Sequence, residues 1–171
     1  FSHWSGFGPD ANESLTTLNI SQNHSLTAVF VPETYDLNVS VSSSTHGSAQ
    51  IIQTGPYQYG GRYSLVAEAK SGYAFSHWSS STNSEFMLDD ANLSSTGMVL
   101  YQDSHFKANF VEIFNDLLVS MSVGGDSVSP MSGTFSAANL ISVNAIPLTG
   151  YEFYRWNDPS NALSNPYLAQ T

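Results

Sequence analysis

The side chains of this 171-residue sequence best suited to chemistry are its histidines, carboxylates and tyrosines. His3, His24, His46, His77 and His105 include no i, i+4 pair on a helical pattern, the spacing that turns two imidazoles toward one zinc ion. His3 and His77 occupy the same place in two copies of FSHW, yet a third copy, FYRW, has Arg155 there. That exchange argues against a catalytic or metal role common to the copies, and the histidines read as structural or solvated. Asp89, Asp90 and Asn92, with Asp103 nearby, offer several oxygens to a calcium ion. The spacing is not that of an EF-hand and the flanking copies lack the Asp-Asp pair, so a solvated acidic loop is preferred and no cofactor is expected. Serine is abundant, but no Gly-x-Ser-x-Gly elbow is present. Gly60-Gly61 and Gly124-Gly125 lack the lysine and helix of a phosphate loop and read as turns. No catalytic, cofactor or metal residue is therefore assigned. Tyr57, Tyr59, Tyr63 and Tyr101 lie in or beside turn-like segments, where a ring can stack on a sugar or fill a partner's pocket, or else close the end of a core.

These residues sit within a repeated framework. GYAFSHW at 72–78 returns as GYEFYRW at 150–156, and FSHW opens the sequence at 1–4. SLTAVF at 25–30 lies eighty positions before HFKANF at 105–110, and YDLNVSVS at 35–42 eighty before NDLLVSMS at 115–122. YSLVAEA at 63–69 resembles LISVNA at 140–145 when Ala69 is laid on Ala145. A period that keeps its internal order marks tandem repeats. The register divides the chain into the C-terminal half of a repeat at 1–34, a complete repeat at 35–112 and the N-terminal part of a further repeat at 113–171, a window across a longer array.

Most elements read as strands. Leu37, Val39 and Val41 alternate with polar residues, as do Leu65, Ala67 and Ala69, then Phe106, Ala108 and Phe110. Period-two alternation marks a sheet with one buried face. The third unit repeats it in Leu117, Val119, Met121 and Val123, and in Ile141, Val143 and Ala145. No long segment has helical periodicity, and Asp89–Thr96 is open to a short helix or an irregular loop. The pattern predicts a β-rich fold, all-β or a small α+β. In a regular strand Phe75 and His77 face one side and Trp78 the other. Phe1 and Trp4, Gly72, Tyr73, Phe75 and Trp78, and Gly150, Tyr151, Phe153 and Trp156 form the structural core motif. The glycines permit a tight turn or positive φ, and Ala28, Ala69, Ala108 and Ala145 leave room for an indole.

Charge is sparse and one-sided, with a formal net charge of −10, which argues against nucleic acid and anionic membranes as partners. No apolar run is long enough to cross a bilayer as a helix, and the absence of cysteine removes disulfides and thiol chemistry. Asn-x-Ser sequons at Asn12, Asn19, Asn23, Asn38 and Asn92 fit the Asn- and Ser-rich composition.

The order LNVSVS, GSAQ, YSLVAEA, GYAFSHW, EFMLDD and FKANF, with EFMLDD read as a strand, resembles the divergent internalin B B-repeat family, related to the Listeria–Bacteroides repeats. The resemblance implies a small β-grasp-like unit, with a sandwich-like sheet unit as the alternative, and a tandem role in bacterial surface or secreted proteins. It brings no catalytic residues. The expected function is a non-catalytic extracellular or cell-surface stalk, spacer or adhesive segment, with neighbouring repeats as first partners. Two alternatives stand beside it. One is a glycan- or protein-binding module using the loop tyrosines. The other is a filament subunit whose half-repeats complete one another by strand addition.

Overall fold

The computed structural model describes residues 1–6 and 12–171; residues 7–11, in the first partial unit, lie outside the described residues. The first unit supplies β1 (His3–Ser5) and β2 (Thr27–Val29). The middle unit runs β3 (Thr34–Tyr35), β4 (Leu37–Val41), β5 (Gly47–Ile51), β6 (Tyr57–Gln58), β7 (Arg62–Ala69), β8 (Tyr73–Ser80), a 3-10 turn at Glu85–Met87, β9 (Ser95–Val99) and β10 (Ser104–Glu112). The third supplies β11 (Phe114–Leu117), β12 (Gly125–Ser129), β13 (Gly133–Ser136) and β14 (Asn144–Pro147). The fold is β-rich, made of several small sheets.

The middle unit is closed by its last strand. β10 lies between β4, to which it is parallel, and β8, to which it is antiparallel. A parallel pair needs a long crossover, and here the β5–β9 segment supplies it in place of the usual helix. A second sheet has the order β5-β7-β9, all antiparallel, and β3 pairs with β6. The two three-stranded sheets share one core. Leu37, Phe106, Ala108, Phe110 and Trp78 enter it from the first, Tyr63, Leu65, Ala67 and Met98 from the second, and Met87 and Leu88 from the connection between β8 and β9. Buried Ser84 is satisfied by the hydroxyls of Thr82 and Ser104, at 2.8 and 3.1 Å.

Several expectations need correction. The β8–β10 register pairs Trp78 with Ala108 and His77 with Asn109, but Phe75 with Phe110, leaving Ser76 as an extra residue on β8. This bulge breaks strict alternation. Phe75 and Trp78 consequently meet with ring centroids 5.7 Å apart, while His77 is exposed. EFMLDD is not a strand: Glu85–Met87 forms the 3-10 turn and Asp89–Ser94 a loop. The strand of this region is β9, whose Thr96, Met98 and the following Leu100 point into the core. Ala69 is exposed at the end of β7, and Ala108 is the small residue opposite the indole.

The repeat alignment also shifts. Lys70 N–H donates to the His46 carbonyl, and Leu148 N–H donates to that of Gly124. Tyr73 N–H donates to Lys70 and Tyr151 N–H to Leu148. These matches lay Ala67, not Ala69, on Ala145, and Leu65 on Val143. Val143 is buried as Leu65 is, at 6 % and 0 % exposed.

The third unit keeps the β3–β6 and β5–β7 pairings as β11–β13 and β12–β14. It does not form the strand expected over Leu117–Val123: β11 stops at Leu117, and Met121 and Val123 are exposed. Residues 151–158 likewise form no strand, although they match β8. In the middle unit the matching segments, β4 and β8, bond to β10, and among the described residues the third unit holds no counterpart of β10. Strand pairing is non-local, so alternation alone does not create it.

Candidate functional site

The repeated aromatic motif has one geometry in all three units. Phe1–Trp4, Phe75–Trp78 and Phe153–Trp156 have centroid separations of 5.6, 5.7 and 5.6 Å and interplanar angles of 56°, 54° and 55°. Each indole N–H donates to a loop carbonyl: Trp4 to Glu13 at 3.1 Å, Trp78 to Leu93 at 3.0 Å and Trp156 to Leu168 at 3.1 Å. The ring and its donor are thus both satisfied, as a large amphipathic side chain requires. Phe110 stands edge-on to Phe75 as Phe30 does to Phe1, both at 79°. Trp4 pairs with Ala28 as Trp78 pairs with Ala108. Only the closed unit buries the ring: Trp78 is 1 % exposed, whereas Trp4 and Trp156 are half-buried.

Gly72 and Gly150 open the second and third motifs at φ +84° and +88°. Tyr73 is half-buried and stacks on His46 at 4.2 Å, and Tyr151 is exposed. Gly72 has a further part that its sequence context did not signal. Its carbonyl accepts the N–H of Ile113 at 2.8 Å, and a Cβ built on it would collide with the Ala138 backbone of the third unit. Ser136 donates to the Glu112 carboxylate across the same junction. Only Ile113 separates β10 from β11. Gly150, at the equivalent turn, has no such neighbour.

The loop tyrosines divide into two groups. Tyr63 is buried, its hydroxyl accepts the Gln58 N–H at 2.7 Å, and Tyr57 packs edge-on against it at 5.1 Å. Tyr59 and Tyr101 are exposed, with centroids 5.4 Å apart, and Tyr35 lies 6.3 Å from Tyr59. Tyr35 was not singled out by sequence, since it sits inside a strand-like run. Its hydroxyl donates to Glu33 at 2.8 Å, and this bond to a carboxylate, with burial and nearby negative charge, raises its pKa above the ordinary phenol value. Asp103 accepts the Asp36 N–H at 2.9 Å beside the same rings. The outcome is an aromatic face rimmed by carboxylates. Asn115 and Ala137 stand where Tyr35 and Tyr59 do, so the third unit lacks this face.

The acidic loop residues engage separate partners. Asp89 pairs with Arg62, and the ion pair crosses Gly97, where a Cβ would meet both charged groups. Asp90 accepts the Asn92 N–H at 2.8 Å. Among the described residues no three His, Asp or Glu side chains converge as a metal site. The histidines are dispersed: His105 meets Ser40, and His3 and His77 meet Ser2 and Ser76 in matching fashion. No helix among the described residues is long and apolar enough to cross a membrane.

Comparison with curated proteins and with solved structures found no match. A family model, the divergent InlB B-repeat domain, matches residues 37–114 and again 117–171, more than half of the chain. The two matches follow one another in tandem, in agreement with the duplicated aromatic geometry and hydrogen bonds. This chain therefore belongs to the divergent InlB B-repeat domain family.

Proposed function

We propose that the chain is a non-catalytic, extracellular array segment of a bacterial surface or secreted protein, acting as a stalk or spacer. The observation that carries this reading is the junction. One residue links β10 to β11, the Ile113 N–H is held by Gly72, and Gly72 lies against Ala138. A link this short, with contacts on both sides of it, restricts the angle between neighbours, as stacked repeats require. The negative charge keeps such arrays apart. The chain has no cysteine, so spin labels enter cleanly at Glu68→Cys and Asp126→Cys, both exposed strand positions in adjacent units. Double electron–electron resonance should give one narrow distance distribution. A broad one removes the stiff-spacer reading.

A second reading rests on the face of Tyr35, Tyr59 and Tyr101. Exposed rings stack on sugars while carboxylates bond their hydroxyls, and Glu33 and Asp103 stand at the rim. The face would take a glycan or a surface protein. Binding on a glycan array that survives Tyr59→Ala with Tyr101→Ala removes this reading.

A further inference from the structure

Each three-stranded sheet of the middle unit has two edges, and the fold covers one edge of each. On β8, the Trp78 N–H donates to the Ala91 carbonyl at 2.7 Å and the Ser80 N–H to the Glu85 carboxylate at 2.6 Å. On β9, the Asp89 N–H donates to the Gly97 carbonyl at 2.8 Å, and Leu88 bridges to Met98. The other two edges, β4 and β5, are open. The Lys70 N–H donates to the His46 carbonyl and the Ile52 N–H to that of Ser64, so the even-numbered residues of β5 bond to β7. Gly47, Ala49 and Ile51 therefore turn their N–H and C=O groups away from β7, where they meet no partner among the described residues. Leu37, Val39 and Val41 of β4 do the same, because Asp36 and Ser42 bond to β10.

This open side is also where the core is least covered. Val39, Val41, Ala49 and Ile51 pack against the core cluster but are only half-buried. Charge does not guard the side either, since neither LNVSV of β4 nor GSAQI of β5 contains a charged residue. Charged side chains are a common protection of an edge against pairing. The third unit has one: Asp126 of β12 stands where Ser48 does. Both open edges belong to the unit whose closing strand is in place. The contacts at its junction run through Gly72, Glu112 and Ile113 and do not involve them.

We propose that β5 of one copy pairs antiparallel with β5 of a second copy, about a two-fold axis at Ala49. The open groups are backbone rather than a pocket, so the occupant is an extended strand, and β5 is its own complement. Ala49 faces the partner's Ala49 and Gly47 faces the partner's Ile51, each pair exchanging N–H···O=C bonds. Ser48 meets the partner's Gln50 on the outer face, both uncharged and able to hydrogen-bond. Two chains of net charge −10 repel each other, and an uncharged edge is where they can approach. The β5-β7-β9 sheet of each copy becomes half of one continuous sheet. Both copies use the same strand, so the contact is isologous and closes at a dimer. This pairing goes beyond the spacer reading, which requires no contact between chains.

Sedimentation velocity of the 171-residue chain across a wide concentration range tests this. The expected result is a rise from the 18.5 kDa monomer to a dimer and no further. Ser48 and Gln50 are exposed, so charge enters there without touching the core. A chain with Ser48→Lys and Gln50→Lys sets lysine against lysine across the axis, and one with Ser48→Glu and Gln50→Glu sets glutamate against glutamate. Each should weaken association about tenfold or more, and an equimolar mixture of the two should regain the dimer. Residues 48 and 50 oppose each other as a non-hydrogen-bonded pair, with Cα atoms about 4.5 Å apart, within disulfide reach. Mild oxidation of a Ser48→Cys chain mixed with a Gln50→Cys chain should therefore cross-link them faster than it links either variant to itself. A monomer at every concentration overturns the proposal. So do oligomers beyond the dimer, a dimer unmoved by either charged pair, and a mixture of the charged variants that stays monomeric. Cross-linking that is no faster in the mixture overturns the pairing about Ala49.

Discussion

Truncating Trp78 to alanine should cost far more than truncating either of its repeats. Trp78 is 1 % exposed, packs against Phe75 and Ala108, and donates its indole N–H to Leu93. Removing a buried tryptophan costs about 3–5 kcal/mol through lost burial and the cavity left behind. At roughly 0.05–0.15 kcal/mol per residue, a unit of about 80 residues is stable by about 4–12 kcal/mol. Trp78→Ala should therefore remove about a quarter or more of the middle unit's stability, or unfold it. Trp156 is half-buried in a unit that holds no closing strand among the described residues, so Trp156→Ala should cost about 1 kcal/mol or less. Trp78→Phe isolates the polar part: it keeps most of the ring but leaves the Leu93 carbonyl unbonded, for about 1–3 kcal/mol. Guanidinium unfolding followed by far-UV circular dichroism reads all three, since that signal does not depend on the replaced indole. Equal losses for Trp78→Ala and Trp156→Ala would refute the claim that the closing strand creates the core.

Gly72→Ala should destabilise the chain more than Gly150→Ala. Both glycines have positive φ, but only the first has Ala138 in the way of a Cβ; equal shifts in Tm would remove the junction's contribution. Arg62→Ala should change stability by less than about 1 kcal/mol, because its ion pair with Asp89 is solvent-exposed; a larger loss in urea unfolding would mean that the pair braces β9. Tyr35 should titrate above the ordinary tyrosine range in an ultraviolet pH titration, and Glu33→Gln should lower its pKa. Its folded pKa is raised, so the stabilisation is fully present below the ordinary phenol pKa and is lost as pH rises through the folded value. Asp158 has the opposite sign. Hydrogen bonds from the Ser160 hydroxyl and the Leu163 N–H hold its pKa below the usual carboxylate value. The turn at 158–163 should accordingly be intact above the ordinary carboxylate pKa and loosen as pH falls through the folded one, read by the amide shifts of Ser160 and Leu163 against pH; shifts that do not move would contradict it.

The legible parts of the fold were those set by local burial. Leu65 and Ala67, and Phe106, Ala108 and Phe110, alternate in sequence and do so in space, because each strand has one face on the core. The bulge at Ser76 was not legible, since it arises from the register against β10 rather than from β8 itself. β9 was hidden because Gly97, a poor strand former, interrupts it, and Gly97 serves the ion pair above it. Residues 118–123 mislead in the other direction: they carry a strand's pattern but have no strand partner among the described residues. At the candidate sites, the recurrence of Phe-x-x-Trp was plain. The split of the tyrosines into buried Tyr63 and exposed Tyr59 and Tyr101 depended on contacts between segments far apart in the chain.

Native-state hydrogen exchange, read by mass spectrometry on dilute monomeric chain, tests most directly whether a repeat closes only when its last strand is in place. Amides of β4, β8 and β10 should exchange only with global unfolding of the middle unit, while those of residues 118–122 and 151–157 should exchange many orders of magnitude faster. Protection of residues 151–157 equal to that of Tyr73–Ser80 would contradict this, because those amides would then be held without the strand that holds β8.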